Sequence, residues 1–237
     1  MGRSLEDRVA QLDWAGIAAS LGERPYARAG RVLSAAECAS LAQMYADARL
    51  FRSRIDMQRH RFGVGEYQYF AAPLPPLVQS LRTLLYPPLA AIANLWMEAL
   101  GEPERFAPTL EAFLARCAAA GQTKPTPLLL RYEAGGYNCL HQDLYGSLAF
   151  PLQVAAMLSQ RERDYSGGEF LLVEQRPRAQ SVGEAIVADQ GELLIFANRT
   201  RPIRGSRGHY RANVRHGVSP LRSGRRFTLG IIFHDAE

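Results

Sequence analysis

Through the first half of the chain apolar residues recur at spacings of three and four, and beyond it they fall into short alternating or continuous runs. LEDRVAQLDWAGIAASLG, LSAAECASLAQMYADARLF, LVQSLRTLLYPPLAAIANLWMEALG and TLEAFLARCAAAG each gather their apolar side chains on one face of a helix. The second opens with Ser34 and Glu37 at capping-box spacing, which gives two amides of its first turn reciprocal partners. Pro87 and Pro88 predict a break or kink in the third, because each lacks an amide donor and crowds the carbonyl one turn back. FRSRIDMQRHRFGVGEYQYF, lying among these patterns, has the glycines and alternating aromatics of a strand or hairpin loop.

From Thr126 the helical period disappears. PLLLRYEAGGYN, FPLQVAAMLS, GGEFLLVEQ, GELLIFAN and RFTLGIIFH are strand-length runs separated by Gly, Pro, Asp and Asn. Helices followed by a run of strands predict an α+β fold, with a helical layer packed on a closed or double-layered antiparallel sheet of the jelly-roll kind. The expected organisation is one domain. Residues 1–124 form an N-terminal helical region with a strand or loop insert at about 50–70, and residues 125–237 form the β core.

The whole-chain numbers change this picture little. A chain of 237 residues with 47% hydrophobic and 22% charged residues can bury a substantial core. MGRSLEDRVAQ carries charge where a signal peptide needs an apolar run, and no stretch of about 18 uninterrupted apolar residues occurs. The expectation is a cytoplasmic protein without a membrane partner. Cys38, Cys117 and Cys139 are too few and too scattered for a disulfide framework or a paired-cysteine zinc site. The net charge of +5 suggests a nucleic-acid partner, but Lys124 is the only lysine and the basic charge is otherwise arginine. With abundant alanine, that fits GC-rich coding better than selection for phosphate contacts, so the placement of the arginines matters more than their number.

The candidate chemistry begins at YNCLHQDLYGS. His141 and Asp143 are two apart, so on an extended chain they point to the same side about 6.6 Å from each other and can converge on one ion. His216, directly ahead of a late strand, is the best third ligand. Two imidazoles and one carboxylate leave three octahedral positions open, the arrangement of non-haem Fe(II) oxygenases, whereas structural zinc closes its shell. Ten residues on, Arg226 begins an alternating run in which Arg226, Thr228 and Gly230 share a face and Arg225 points the other way. A buried arginine at a strand start needs an anion, and a neighbouring hydroxyl makes the pair a socket for a carboxylate.

These motifs, HQD, SGGEF and RHGVSPLRSGRRFTLGIIFHD, resemble those of Fe(II)- and 2-oxoglutarate-dependent dioxygenases built on a double-stranded β-helix, in their prolyl-hydroxylase-like branch. The resemblance covers about Pro125 to Glu237. RHRFGVGEYQYF, PTPLLLRYEAGGYNCLHQDLYG and RGSRGHYRANVRHGVS are similar to a bacterial subfamily of 2-oxoglutarate oxygenases with a proposed link to damaged DNA. It implies Fe(II), 2-oxoglutarate and O2 as cofactors, with His141, Asp143 and His216 on the iron and Arg226 on the distal carboxylate of 2-oxoglutarate. Thr228 and Tyr132 are further cosubstrate candidates, Tyr132 being equally readable as a strand aromatic. The implied reaction couples decarboxylation of 2-oxoglutarate to succinate with hydroxylation or oxidative demethylation of a substrate. Phe170 stands where peptide hydroxylases often carry threonine, so their substrate contacts do not carry over.

Two arginine clusters bear on the substrate: Arg52, Arg54, Arg59 and Arg61, and then Arg199, Arg201, Arg204, Arg207, Arg211 and Arg215 running into His216. Arginines of the second are expected near the pocket mouth. Arg61, Tyr67, Arg207 and Tyr210 are the substrate candidates, with Phe62 and Tyr69 as further aromatics able to stack a flipped base. The other reading of the clusters is a set of surface arginines paired with acids or carbonyls. His60, His209 and His234 read as surface or structural residues, and Cys139 as a packed thiol. Repair of alkylated DNA or RNA, hydroxylation of a protein side chain and oxidation of a small anionic metabolite stay open, as does the oligomeric state. A noncatalytic β-barrel binding module and a zinc hydrolase are the readings from other classes, and the hydrolase lacks an obvious general base.

Overall fold

A computed structural model describes residues 3–143 and 145–237. The chain begins with α1 (Leu5–Ala10) and α2 (Trp14–Glu23), where the periodicity predicted one helix. Asp13 causes the restart, since its carboxylate accepts from Gly16 N at 2.9 Å and caps α2. Next come β1 (Tyr26–Arg31) and α3 (Ala35–Gln43). The expected capping box is present on α3: Glu37 N donates to Ser34 Oγ at 3.2 Å and Ser34 N to Glu37 Oε2 at 2.7 Å. Glu37 also receives the Arg8 guanidinium through two bonds of 2.6 and 2.7 Å, which ties α1 to α3.

The strands β2 (Phe51–Asp56), β3 (Gly63–Val64) and β4 (Glu66–Phe70) precede the long α4 (Pro76–Ala99) and α5 (Leu110–Ala119). The remainder is β: β5 (Leu128–Glu133), β6 (Tyr137–His141), β7 (Leu152–Met157), β8 (Tyr165–Gly167), β9 (Phe170–Gln175), β10 (Val182–Ile186), β11 (Glu192–Ala197), β12 (Thr200–Gly205), β13 (Gly208–Val218) and β14 (Leu221–Ile231). Among the described residues they form two antiparallel sheets. The larger runs β1-β11-β7-β14-β5-β4-β2 with β8 beside β14, and the smaller runs β10-β9-β13-β6-β3 with β12 beside β13. This is a double-stranded β-helix with helices against its larger sheet.

Two expectations are corrected here. Sheet-forming sequence ahead of residue 125 is not confined to about 50–70, because β1 pairs with β11 through Tyr26↔Phe196, Ala27↔Ile195 and Arg28↔Leu194. YARAGR shows no apolar run, and only Ala27 turns fully inward. Pro87 and Pro88 do not end α4. Pro87 lies on the exposed side with Thr83, while Leu85, Tyr86, Leu89 and Ala90 stay buried and hold the helix down.

Along β14 the side chains alternate between two environments. Leu229 and Ile231, followed by Phe233, join the core under the helices, whereas Arg226, Thr228, Gly230 and Ile232 line a cavity on the other face. Tyr86 of α4 completes the outer core, its ring centroid 5.1 Å from Phe150 and 5.9 Å from Phe233. Beside it Arg82, 2% exposed, donates to the carbonyls of Ile232 at 2.9 Å and Phe233 at 3.0 Å and to Asp235 at 2.7 Å. One buried charge thereby fixes the chain beyond β14 to the helical layer. Arg82→Met leaves two carbonyls and Asp235 without that donor, and is expected to lower stability by about 3–5 kcal/mol in chemical denaturation.

Candidate functional site

The smaller sheet brings the metal-seeking residues together. β13 pairs with β6 so that His216 stands opposite His141, their ring centroids 4.3 Å apart. Asp143 lies just beyond β6, with Oδ1 3.5 Å from His141 Nε2 and Oδ2 3.2 Å from His216 Nε2. Ligand atoms of the three residues all fall within 4.8 Å of one another, a donor set able to hold one ion.

Outer contacts prepare each group. His141 Nδ1 meets the Cys139 carbonyl at 2.8 Å; a carbonyl only accepts, so the proton sits on Nδ1 and the Nε2 lone pair is free for a metal. Asn198 grips the backbone of Asp143 on both sides, accepting from its amide at 3.0 Å and donating to its carbonyl at 2.7 Å. The Gln142 side chain, between the two ligands, donates to the Val214 carbonyl at 2.8 Å and locks the segment to β13. Phe170 lies nearly parallel to the His216 ring at 5.9 Å, and Phe196 packs at 4.8 Å on it.

The electrostatics suit a cation. Burial opposes charge on Asp143, but the His141 and His216 imidazoles beside it outweigh burial and hold the carboxyl well below its usual range. Burial drives the His216 pKa down and favours the neutral imidazole a metal requires. On His141 burial also acts downward, but the Asp143 carboxylate prevails and the pKa rises.

Arg226 sits on the larger sheet, its register partner on β5 being Tyr132. Both are buried, as is Thr228. Among the described residues Arg226 Nε and Nη1, the Tyr132 hydroxyl and the Thr228 hydroxyl have no hydrogen-bond partner, and Arg226 Nη2 reaches only Met157 Sδ at 3.4 Å. Unpaired buried donors are costly, so one arginine and two hydroxyls converging without partners mark a place for an anion. Arg225 points outward, 3.1 Å from Glu133. Gly65 lets the β3–β4 connection pass over Tyr132: its φ is +147°, and a Cβ there would lie 2.7 Å from the Tyr132 ring.

A cavity of about 460 Å³ between the sheets joins the two groups. Its lining includes His141, Asp143, His216, Arg226, Tyr132 and Thr228, and toward solvent Arg61, Phe62, Tyr67 and Leu140. Phe62 is 46% and Leu140 42% exposed, and His60 stacks on Phe62 at 5.3 Å. Of the substrate candidates, Arg61 and Tyr67 are in the lining and Arg207 and Tyr210 are not. The latter two belong to the far end of the β12–β13 hairpin, and His216 lies eight residues along β13 from Gly208, about 26 Å at strand rise.

The second arginine cluster is therefore spread along a hairpin instead of gathered at the mouth. Arg201 is buried, paired with Glu174 and donating to the carbonyls of Gly22 at 3.1 Å and Glu23 at 2.9 Å, where it closes the end of α2. Arg211 pairs with Glu102. Cys139 is exposed and not packed, because β6 lies near the sheet edge with only the short β3 outside it. His234 is a buried structural residue whose Nδ1 accepts from Phe150 N at 3.1 Å.

The sequence reading missed Asn198 and Tyr145, and took Tyr69 as a stacking aromatic where its hydroxyl bonds Tyr145. Tyr145 donates to Asp143 Oδ1 at 2.7 Å and receives a bond of 2.8 Å from Tyr69. A hydroxyl two residues past Asp143 was a usable signal; nothing local marks Asn198, which is 55 residues away in sequence.

The model of the Oxygenase-NA family, described as an oxygenase catalysing oxidative methylation of damaged DNA, matches residues 65–236. The chain belongs to this family. An uncharacterized protein of Mycobacterium tuberculosis is 52% identical over 167 residues, 70% of this chain and 72% of that relative. Among solved structures, an oxidoreductase of the 2OG-Fe(II) oxygenase family from Burkholderia pseudomallei superposes with a TM-score of 0.56 at 15% identity, covering 95% of this chain and 94% of that one. A Pseudomonas putida prolyl-4-hydroxylase gives 0.52 at 15% identity over 94% and 99%. The protein is thus an oxygenase, and the likeness of its motifs to Fe(II)- and 2-oxoglutarate-dependent dioxygenases holds at the level of family and fold. No helix among the oxygenase's described residues is long and apolar enough to cross a membrane.

Asp143→Ala is expected to cut Fe(II) affinity by more than the roughly 10–100-fold that follows loss of an outer hydrogen-bond partner, with the melting temperature of the metal-free protein little changed. Anaerobic equilibrium dialysis checks this, and retained binding would move the carboxylate ligand elsewhere.

Proposed function

We propose that the oxygenase uses Fe(II) held by His141, Asp143 and His216, with 2-oxoglutarate held at its distal carboxylate by Arg226, Thr228 and Tyr132. The observation that carries this reading is the pairing, in one cavity, of a two-histidine, one-carboxylate donor set with a buried arginine and two hydroxyls that lack partners. Bound there, iron and 2-oxoglutarate supply oxygen activation, ending in succinate, carbon dioxide and one oxygen atom placed on the substrate.

The protein's own groups do the holding. His141 presents Nε2 because Cys139 keeps its Nδ1 proton; Asn198 and Gln142 keep the ligand segment against β11 and β13; Phe170 and Phe196 wall His216 from water. Arg226 and Thr228 share one face of β14, and Tyr132 adds a hydroxyl from the paired strand.

For the substrate, an alkylated nucleic acid is favoured over a protein side chain or a metabolite. The family description names damaged DNA, and the mouth combines the exposed Phe62 and Leu140 with Arg61, a stacking surface beside a cation. An oxygen atom delivered to an N-methyl group leaves an aminol that collapses to formaldehyde, so such a site removes methyl groups. The protein-hydroxylase reading draws on the fold shared with the Pseudomonas putida enzyme.

Anaerobic reconstitution with Fe(II), followed by oxygen and 2-oxoglutarate, is expected to give succinate, and methylated single-stranded DNA is expected to stimulate it with release of formaldehyde. Succinate without stimulation would send the substrate search to proteins and metabolites; its absence would leave a binding module. Arg226→Ala is expected to raise the 2-oxoglutarate requirement about 30-fold or more, since a buried carboxylate loses a partner worth about 2 kcal/mol or above. Phe62→Ala is expected to weaken single-stranded DNA binding by about 1–3 kcal/mol while leaving uncoupled succinate formation unchanged, and equal binding would remove Phe62 from the substrate surface.

A further inference from the structure

We propose that Tyr145 is a positioning residue for the metal centre: by donating to one oxygen of Asp143 it restricts that carboxylate to a single metal bond and keeps a coordination position free. The inference rests on the reading of His141, Asp143 and His216 as ligands.

Three observations lead to it. The carboxylate of Asp143 carries unequal oxygens: each faces an imidazole, Oδ1 that of His141 at 3.5 Å and Oδ2 that of His216 at 3.2 Å, but Oδ1 also accepts from the Tyr145 hydroxyl at 2.7 Å. The direction of the bond is fixed, because an ionised carboxylate only accepts; Tyr145 must donate its proton to Oδ1 and is left with lone pairs that accept from Tyr69 at 2.8 Å. The chain is anchored at its outer end, where the Tyr69 ring packs edge-on against Tyr67 at 5.4 Å and beneath the Arg52 guanidinium at 4.6 Å. The Asn198 clamp holds the Asp143 backbone, so what the tyrosines control is the rotation of the carboxylate about its own bond.

That rotation has a consequence for chemistry. Two imidazoles and one carboxylate oxygen leave three positions of an octahedral ion; a second oxygen from the same carboxylate leaves two, enough for a cosubstrate that chelates and none for O2. A hydroxyl bonded to Oδ1 competes for the lone pair that a second metal bond would use. Tyr145 therefore protects an open position as well as orienting a ligand, and Tyr69 aims Tyr145.

The test uses Co(II), which reports coordination number through its visible absorption, added to the metal-free protein. Tyr145→Phe is expected to shift the visible bands toward those of a higher coordination number, with Tyr69→Phe giving the same shift at smaller amplitude and both metal-free variants melting near the wild type. If Asp143→Ala binds Co(II) as the wild type does, the ligand assignment fails and this inference with it. If Asp143→Ala loses the metal while Tyr145→Phe keeps the wild-type bands, the ligand assignment stands and the role of Tyr145 is overturned. Should Tyr145→Phe melt early, Tyr69→Phe decides: unchanged bands in that variant overturn the proposal.

Discussion

The pairing of β6 with β13 is the constraint from which the site follows. Placing His216 opposite His141 sets two imidazoles 4.3 Å apart at their centroids, and the chain leaving β6 then has one side on which the Asp143 carboxylate can sit between them. Neither histidine could be held this way by a helix, where residues 75 apart in sequence have no register. The sheet supplies that register through backbone hydrogen bonds, so ligand spacing is set by strand geometry and is insensitive to the surface sequence.

The second sheet answers a different problem. Arg226, Tyr132 and Thr228 keep polar atoms buried with no partner among the described residues, a cost the fold must offset elsewhere. The offset lies on the other face of the same strands, where Leu229, Ile231 and Phe233 join the aromatic cluster around Tyr86 and Phe150 under α4. One layer of β14 thus stabilises the protein while the alternate layer stays ready for an anion. Arg82 and Arg201 show that buried arginine is not in itself a sign of binding: each has carbonyls and a carboxylate around it, and each fastens a helix to a sheet. Arg226 differs because its guanidinium has no such partner among the described residues.

The wall around the donor set extends this logic outward. Asn198 and Gln142 hold backbone, Phe170 and Phe196 exclude water, and the pair Tyr145 and Tyr69 reaches a carboxylate oxygen. Each of them removes a freedom from one of the three residues of the candidate donor set.

The sequence alone determined the helix-then-strand order and the capping of α3, and it brought the candidate site residues into view, because these rest on local spacing: His141 and Asp143 two apart, and Arg226 and Thr228 alternating on one strand face. It also carried a resemblance strong enough to name the family. Only the tertiary structure decided matters that depend on distant partners. Tyr26–Arg31 is a strand because β11 offers an edge, Pro87 and Pro88 remain helical because the buried face of α4 on either side holds them down, and Arg201 is a structural tie where the linear clustering of arginines suggested a binding surface. Arg207 immediately precedes the strand of His216 and Tyr210 lies on it, but both sit at its far end, and Asn198 reaches Asp143 across 55 residues. Periodicity fixes which way a side chain points along its own element; what it meets is set by the pairing of elements, and that is not written in any local stretch.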